Sequence, residues 1–136
     1  MTISAPGFTP VAKPLRIIDN DKATLTITQL SDTVMEGNVV SFRINTNLPP
    51  FFGPLQVFLS SVNPSRLPLP SSVTIPAASN SVDVSVILAQ DLVPENNLAV
   101  TMTAAAVDHF AVSASVFVKD DDVPGLLLDL QTIQLI

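Results

Sequence analysis

The sequence predicts an all-β domain, an immunoglobulin-like antiparallel β-sandwich of seven strands with extra terminal strands. Three observations predict it. Apolar residues recur with a period of two along most of the 136-residue chain. The alternating runs are short and are separated by turn sequences at roughly ten-residue spacing, which is typical of a sandwich. The 12 prolines exclude long helices, because an interior proline breaks the helical hydrogen-bond pattern.

Seven runs define strands A to G in chain order. Strand A (ATLTITQL) alternates leucine and isoleucine with threonine, and strand B (NVVSFRINT) places Val40, Phe42 and Ile44 on one face. Strands C (LQVFLSS), E (SVDVSVILA), F (LAVTMTAAAV) and G (FAVSASVFV) repeat this alternation, whereas strand D (SVTIP) is short. Loop compositions such as NLPPFFGP, NPSRLPLP and QDLVPENN separate them. The predicted ranges are 23–30, 38–46, 55–61, 72–76, 81–89, 98–107 and 110–118.

Composition excludes several classes of function. The net charge of −6 argues against nucleic acid or an anionic membrane as a partner, but is compatible with cation binding. The absence of cysteine excludes disulfides, zinc–thiolate sites and a thiol nucleophile. No apolar run approaches the roughly 18 residues of a membrane span. No serine has a Ser-His-Asp setting, so the sequence predicts a protein that is not an enzyme.

Acidic residues are concentrated in the loops expected at one end of the sandwich. Because successive strands alternate in direction, strands A, C, E and G end at the same pole, and the connections that follow them should meet there. Asn63 follows strand C. Six of the 12 acidic residues of the chain are expected to converge there, namely Glu36, Asp91, Glu95, Asp120, Asp121 and Asp122.

Oxygen ligands gathered from several loops are what Ca²⁺ requires, since it takes about 6–8 oxygens from carboxylates, carbonyls and water. Mg²⁺ is less suited, because it retains its waters and tolerates fewer geometries. Alternation at the strand end should direct Asp120 and Asp122 to one side and Asp121 to the other, so that one ion could lie within the domain and another at a junction. The alternative is a solvated strand end that discourages edge pairing.

The other pole should hold the B–C loop and the F–G turn. His109, the only histidine, lies in that turn beside Asp108 and has no further partner there, so a general-base role is not expected. Phe51 and Phe52 are expected to cap the core under the B–C loop, and an exposed patch for a partner is the alternative.

An internal repeat divides the chain. VAKPLRIIDNDKATLTI (11–27) aligns without gaps with VSASVFVKDDDVPGLLL (112–128), which places Asp19 on Asp120 and Asp21 on Asp122. The spacing is that of a whole sandwich domain. We therefore expect residues 22–122 to form one complete repeat. Residues 1–21 would copy the last strand of a preceding repeat with its linker, and residues 123–136 the first strand of a following one.

These segments resemble the Calx-beta domain, the calcium-binding sandwich of sodium–calcium exchangers and of many tandem-repeat extracellular proteins. The resemblance covers about residues 22–122 and is carried by VMEGN, NPSRLPLPSSVTIPAAS, AQDLVPEN and the terminal DDD. The DND at 19–21 is similar to the end of an upstream repeat, so Asp19 and Asp21 would either complete a junction site with a neighbouring copy or serve as linker residues.

The resemblance implies calcium ligands at Glu36, at the acidic E–F loop and at the terminal aspartates, which gives the six carboxylates listed above. The chain departs from the family in that loop, where Gln90 stands at the first aspartate position and Leu98 near a second glutamate. Fewer charges weaken binding, so we expect a single site in the range of extracellular modules, about 10⁻⁴–10⁻³ M.

The terminal tails have no vacant place in their own sandwich. Either the chain is a piece of a longer tandem array, or it is a subunit whose tails bind its neighbours. The apolar tail GLLLDLQTIQLI could add a strand to another subunit and bury its apolar side chains. Such a head-to-tail contact does not close, so it would build a filament. The expected assembly residues are Leu126, Leu127, Leu128, Leu130 and Ile133.

Together these observations predict a non-enzymatic structural or adhesion module, extracellular or on the cell surface, that binds Ca²⁺ at one pole. Its expected partners are copies of itself and other cell-surface proteins, with no nucleic acid and no membrane insertion. The alternative is a regulatory calcium-sensor domain that belongs to a larger protein.

Overall fold

The computed structural model describes residues 2–3, 5–15, 21–29 and 31–125. Within those residues the protein is all-β: two sheets pack against each other, and no helix is present. No helix in this part of the chain is long or apolar enough to cross a membrane. The predicted fold class, an all-β sandwich, is confirmed.

Eleven strands form in the described residues. Strands β3, β5, β6, β7, β8, β9 and β11 correspond to the predicted strands A to G, with ends shifted by at most a few residues. The short strands β1, β2, β4 and β10 lie outside the predicted set. The bounds are β1 Thr2–Ile3, β2 Val11–Ala12, β3 Ala23–Gln29, β4 Thr33–Met35, β5 Val39–Thr46, β6 Leu55–Ser61, β7 Ser72–Ile75, β8 Ser81–Ile87, β9 Leu98–Ala105, β10 His109–Phe110 and β11 Val112–Lys119.

One sheet has the strand order β10-β3-β5-β8 and the other the order β4-β11-β9-β6-β7, while β1 and β2 form a separate pair. The long strands pair antiparallel, as predicted. Two short strands depart from this rule: β4 runs parallel to β11, and β10 runs parallel to β3. Strands β3 and β4 follow each other in the chain but lie in different sheets, so the chain passes from one sheet to the other between them.

The core lies between the sheets and is built from the alternating apolar residues. Val40, Phe42 and Ile44 of β5 are fully buried, as the period-two pattern predicts, and the residues between them face outward. Strands β9 and β11 contribute buried residues in the same alternation. The remaining members of the core are Leu25, Val34, Val57, Leu59, Leu67, Ile75, Val84, Leu88, Val100, Met102, Ala104, Val116 and Val118.

The two ends of the sandwich differ in charge. The acidic pole consists of the connections 36–38, 62–71 and 88–97 and the segment 120–123 that follows β11. The far pole consists of the connections 47–54, 76–80 and 106–108. Asp21 lies just before β3, where the Ala23 amide donates to the Asp108 carbonyl at 3.0 Å, so it belongs to the far pole as expected. Asp19 and the assembly residues of 126–136 lie outside the described residues.

The expectation that Phe51 and Phe52 cap the core is wrong, because both side chains are largely exposed to solvent. The end of the core is closed by Thr46 instead. Its buried hydroxyl group lies 3.1 Å from His109 Nε2 and 3.1 Å from the Leu48 carbonyl oxygen. His109 is thereby engaged at both ring nitrogens, since its Nδ1 donates to the Val107 carbonyl at 2.7 Å.

Truncating the core should cost far more stability than truncating an exposed side chain of the same type. Phe42 is 0% exposed and Phe58 is 50% exposed. We expect Phe42→Ala to lower the free energy of unfolding by about 3–5 kcal/mol through lost burial and a cavity, and Phe58→Ala by clearly less. Urea titrations followed by circular dichroism measure both. Equal losses would contradict this account of the core.

Candidate metal centre

Glu36 is positioned by the parallel pairing of β4 with β11. Thr33 to Met35 lie beside Phe117 to Lys119, and the pairing continues one residue further, because the Glu36 amide donates to the Lys119 carbonyl at 2.9 Å. Glu36 therefore lies next to the first aspartate of the DDD sequence. Strand pairing, and not the loop sequence alone, brings these two distant carboxyl groups together.

Gly37 permits the turn that follows. Its φ of +74° lies in the left-handed region that favours glycine, and a Cβ atom there would lie 2.3 Å from Gln90 Oε1. The Asn38 amide closes the turn by donating to the Met35 carbonyl at 3.2 Å. Gly37 thus allows the β8–β9 connection, which contains Gln90, to approach Glu36 closely.

The β8–β9 connection is tied to the residues after β11 by direct hydrogen bonds. The Glu95 amide donates to Asp120 Oδ2 at 2.7 Å, and the Asp120 amide donates to Asn97 Oδ1 at 3.0 Å. Within the connection, the Val93 amide donates to Asp91 Oδ1 at 2.7 Å, which orients the Asp91 carboxylate. The loop is held by these contacts in the absence of any regular secondary structure.

Three of the predicted ligands meet at this place. Glu36, Asp91 and Asp122 each offer a carboxylate oxygen, and these oxygens lie within 4.8 Å of one another. Two oxygens that bind the same Ca²⁺ at about 2.4 Å are at most about 4.8 Å apart. The three residues are therefore close enough to bind one ion together, and they come from three separate connections of the sandwich.

Glu36 is the most deeply buried acid of the group, with 3% of its surface exposed. Its Oε1 atom is buried and has no hydrogen-bond partner, and the same holds for Asp120 Oδ1 and Asp122 Oδ2. Ionised carboxylates cannot donate to one another. Because an unpaired buried charge is costly, the arrangement requires either shared protons or a cation.

The pKa values of the cluster reflect this crowding. The neighbouring Asp120 carboxyl group, with which a protonated Glu36 can share its proton, burial, and the negative charges of Asp120 and Asp91 raise the pKa of Glu36 from 4.5 to about 6. A hydrogen bond from the Asp121 backbone amide opposes that rise. Burial, followed by the charges of Asp120, Asp121 and Asp91, also raises the pKa of Asp122. Both shifts indicate that negative charge is disfavoured at this site unless a cation compensates it.

The remaining predicted ligands lie around this triad. Asp120 faces Glu36, whereas the Asp121 carboxylate accepts from Gln90 Nε2 at 3.1 Å, so the two neighbouring aspartates have different partners. Gln90 Nε2 also donates to the Asp91 carbonyl at 3.0 Å. Gln90 therefore links the β8–β9 connection to the DDD segment.

Arg66 is the residue of this site that sequence reasoning missed. It is 7% exposed, its Nη1 forms an ion pair with Glu95 and lies 4.0 Å from Glu36 Oε2, and its Nη2 donates to the Asn96 carbonyl at 3.2 Å. Asn63 holds the turn in front of it, because Asn63 Oδ1 accepts from the Arg66 amide at 3.3 Å. The available signal was an arginine in the loop NPSRLPLP, which was expected at the acidic pole.

No protein-family model matches the chain, and no curated protein matches it. The resemblance to Calx-beta domains, and the calcium ligands that it implies, therefore remain predictions. The chemistry of the site can be described without that resemblance, because the atoms available as metal ligands are carboxylate oxygens of Glu36, Asp91 and Asp122. Such a set suits a hard cation.

The raised pKa values predict that the ion-free protein loses stability as the pH rises. Each group holds its proton more tightly in the folded protein than in the unfolded chain, so the unfolding free energy falls between the two pKa values. For Glu36 that interval runs from 4.5 to about 6. We expect urea titrations in EDTA to show this fall, and Glu36→Gln to reduce it. A wild-type stability that rises through the interval would contradict the prediction.

Proposed function

We propose that this protein is a non-enzymatic, calcium-binding β-sandwich module of an extracellular or cell-surface protein, with a structural or adhesive role. One observation carries the proposal: the buried Glu36 Oε1 atom lacks a hydrogen-bond partner and belongs to a cluster with Asp91 and Asp122. Arg66 Nη1 lies 4.0 Å from the other oxygen of this carboxylate, Glu36 Oε2, but it also pairs with Glu95, so it does not balance the charge of all the carboxylates of the cluster. A divalent cation would supply the remaining positive charge.

Calcium fits this site better than other common cations. The cluster contains no histidine or cysteine among the described ligands, which disfavours Zn²⁺ and other softer metals. The ligands lie on loops of irregular backbone, and Ca²⁺ accepts the variable geometry that such loops provide. Backbone carbonyls and water would complete the coordination. An affinity in the millimolar to submillimolar range would match extracellular calcium concentrations.

A structural role is supported by the surroundings of His109. The imidazole is held between Thr46 and the Val107 carbonyl at the far pole, and it serves there to close the core. It lies at the other end of the sandwich from the carboxylates. A histidine-assisted reaction at the acidic cluster would therefore have no support from this arrangement.

Head-to-tail association is supported by the distribution of exposed apolar side chains. The outer faces of both sheets carry paired hydroxyl groups, such as Ser41 with Ser85 at 2.9 Å and Thr101 with Ser115 at 2.8 Å. Many of the exposed large apolar residues of the described chain lie in the connections of the two poles or at the strand ends beside them. In the connections they are Val62, Leu92, Val93 and Val123 at the acidic pole, and Leu48, Phe51, Phe52 and Val107 at the far pole; at the adjoining strand ends they are Met35, Val39, Ile87 and Leu98, and Phe110.

In the proposed assembly, the acidic pole of one copy contacts the far pole of the next. Calcium bound at Glu36 would reduce the repulsion among the aspartates and stiffen the segment that leads to the neighbouring copy. Asp19 and Asp21 would lie at such a junction, and the tail from Leu126 onward would add its apolar residues to the contact. Repetition of one contact in one direction produces a filament.

Calcium binding should depend on Glu36 and not on acidic charge in general. We expect isothermal titration calorimetry to detect calcium binding to the wild type and Glu36→Gln to weaken it by about tenfold or more, because affinity follows the charge of the ligand set. Asp83→Asn is the matched control, since Asp83 is an exposed acid paired with Arg43 on a sheet face. The proposal would be overturned if the wild type gave no binding heat and bound no calcium at about 10 mM Ca²⁺.

The assembly proposal predicts calcium-dependent particles. We expect light scattering and negative-stain microscopy to show filaments of the 136-residue chain in millimolar Ca²⁺ that dissociate in EDTA. Deletion of 125–136 should leave monomers that still bind calcium. Filaments that persist in EDTA would remove the role of the ion, and unchanged assembly of the deletion variant would remove the role of the tail.

A further inference from the structure

We infer that Arg66 fills a second cation position beside the proposed calcium ion, so that the acidic pole holds one metal ion and one guanidinium group instead of two metal ions. The inference rests on the proposed calcium site. It explains why the site would hold a single metal ion: Arg66, which belongs to no motif, takes the place of a second one.

Glu36 lies between the two positions. Its carboxylate takes part in the triad with Asp91 and Asp122, and its Oε2 atom lies 4.0 Å from Arg66 Nη1. On the other side of the guanidinium, Glu95 forms an ion pair with the same nitrogen. Two carboxylates from different connections therefore face one nitrogen of Arg66, as two ligands would face a metal ion.

The guanidinium is held in place by the fold. The Arg66 amide is bonded to the carbonyl oxygen of Asn63 at 3.2 Å and to its side-chain oxygen at 3.3 Å, and Nη2 donates to the Asn96 carbonyl. Arg66 is buried, with 7% of its surface exposed, and its Nε atom has no hydrogen-bond partner. An arginine stays charged in proteins, and burying that charge is costly. The burial of Arg66 therefore implies that its charge interacts with the neighbouring carboxylates.

The position is reachable by an ion from solvent. An open groove of about 580 Å³ runs along Asn63, Ser65, Arg66, Glu95, Asn96 and Leu98. Glu95, which lines this groove, is tied through its backbone amide to Asp120 Oδ2. Without the guanidinium, Glu36 and Glu95 would leave two unpaired carboxylates beside this groove, and carboxylate oxygens are ligands that Ca²⁺ prefers.

The test is the number of calcium ions bound by Arg66→Gln, with Arg66→Lys as the matched control that keeps the charge. Equilibrium dialysis with atomic absorption counts the ions, and calorimetry follows the binding heats. We expect one ion for the wild type and for Arg66→Lys, and two for Arg66→Gln. Circular dichroism verifies that each variant keeps its strand content.

The outcomes separate the two proposals. A wild type that binds no calcium would overturn the proposed function itself. One ion in the wild type and still one in a folded Arg66→Gln would leave the calcium site standing and overturn the inference, as would two ions in the wild type.

A measurement on the wild type covers the case in which Arg66→Gln fails to fold. The buried Arg66 Nε–H should give a slowly exchanging signal in ¹⁵N–¹H spectra, which Arg66→Lys identifies by its loss. We expect the signal to remain protected when Ca²⁺ saturates the protein. Loss of protection on calcium addition would mean that the ion displaces the guanidinium, which would overturn the inference.

Discussion

The pairing of β4 with β11 is the contact on which the acidic pole depends. It places Glu36 beside the aspartates that follow the last strand, although more than 80 residues of chain separate them. The bond from the Glu36 amide to the Lys119 carbonyl continues this pairing into the cluster. If β4 remained in the sheet of β3, it could not pair with β11, and Glu36 would lose its backbone bond to Lys119. The crossover between sheets is therefore a condition for the site as well as a feature of the fold.

The same pole concentrates negative charge that the fold only partly compensates. Backbone amides of Glu95 and Val93 and the side chain of Gln90 satisfy several carboxylate oxygens, and Arg66 supplies one positive charge. Glu36 Oε1 is left without a donor. The geometry of the site is set by hydrogen bonds at its periphery, and the charge of its central carboxylates is balanced only in part. The proposed calcium ion would supply the remaining positive charge.

Much of the fold could be predicted from the sequence, because burial of one sheet face imposes a period of two on long strands. The alternation in β5 and β9 is an example. Short strands such as β4 and β10 escaped prediction, since two or three residues carry no measurable period and their pairing is decided by distant partners. Phe51 and Phe52 were misjudged for a related reason: the end of the core is closed by a threonine–histidine contact that hydrophobicity does not reveal.

The candidate site was predictable to the extent that strand direction decides which loops meet. That argument brought Glu36, Asp91 and Asp122 to one pole, and the structure places their carboxylates together. It could not predict that Glu95 forms an ion pair with Arg66 or that Asp121 accepts a hydrogen bond from Gln90, because such contacts depend on distances of a few ångströms within irregular loops. The sequence did not predict that Arg66 is a buried member of the site, because a single arginine in a proline-rich loop is expected at the surface.

The parallel arrangement of β4 and β11 also has a mechanical meaning. One of these strands lies near the start of the sandwich and the other ends it, so opposite forces applied to the two ends of the domain pull the strands along each other. Their hydrogen bonds are then loaded in shear and must break together instead of one after another. Glu36 lies at the end of this pair, and a cation bound there together with Asp91 and Asp122 would act as a clamp at the point where the force enters the pair.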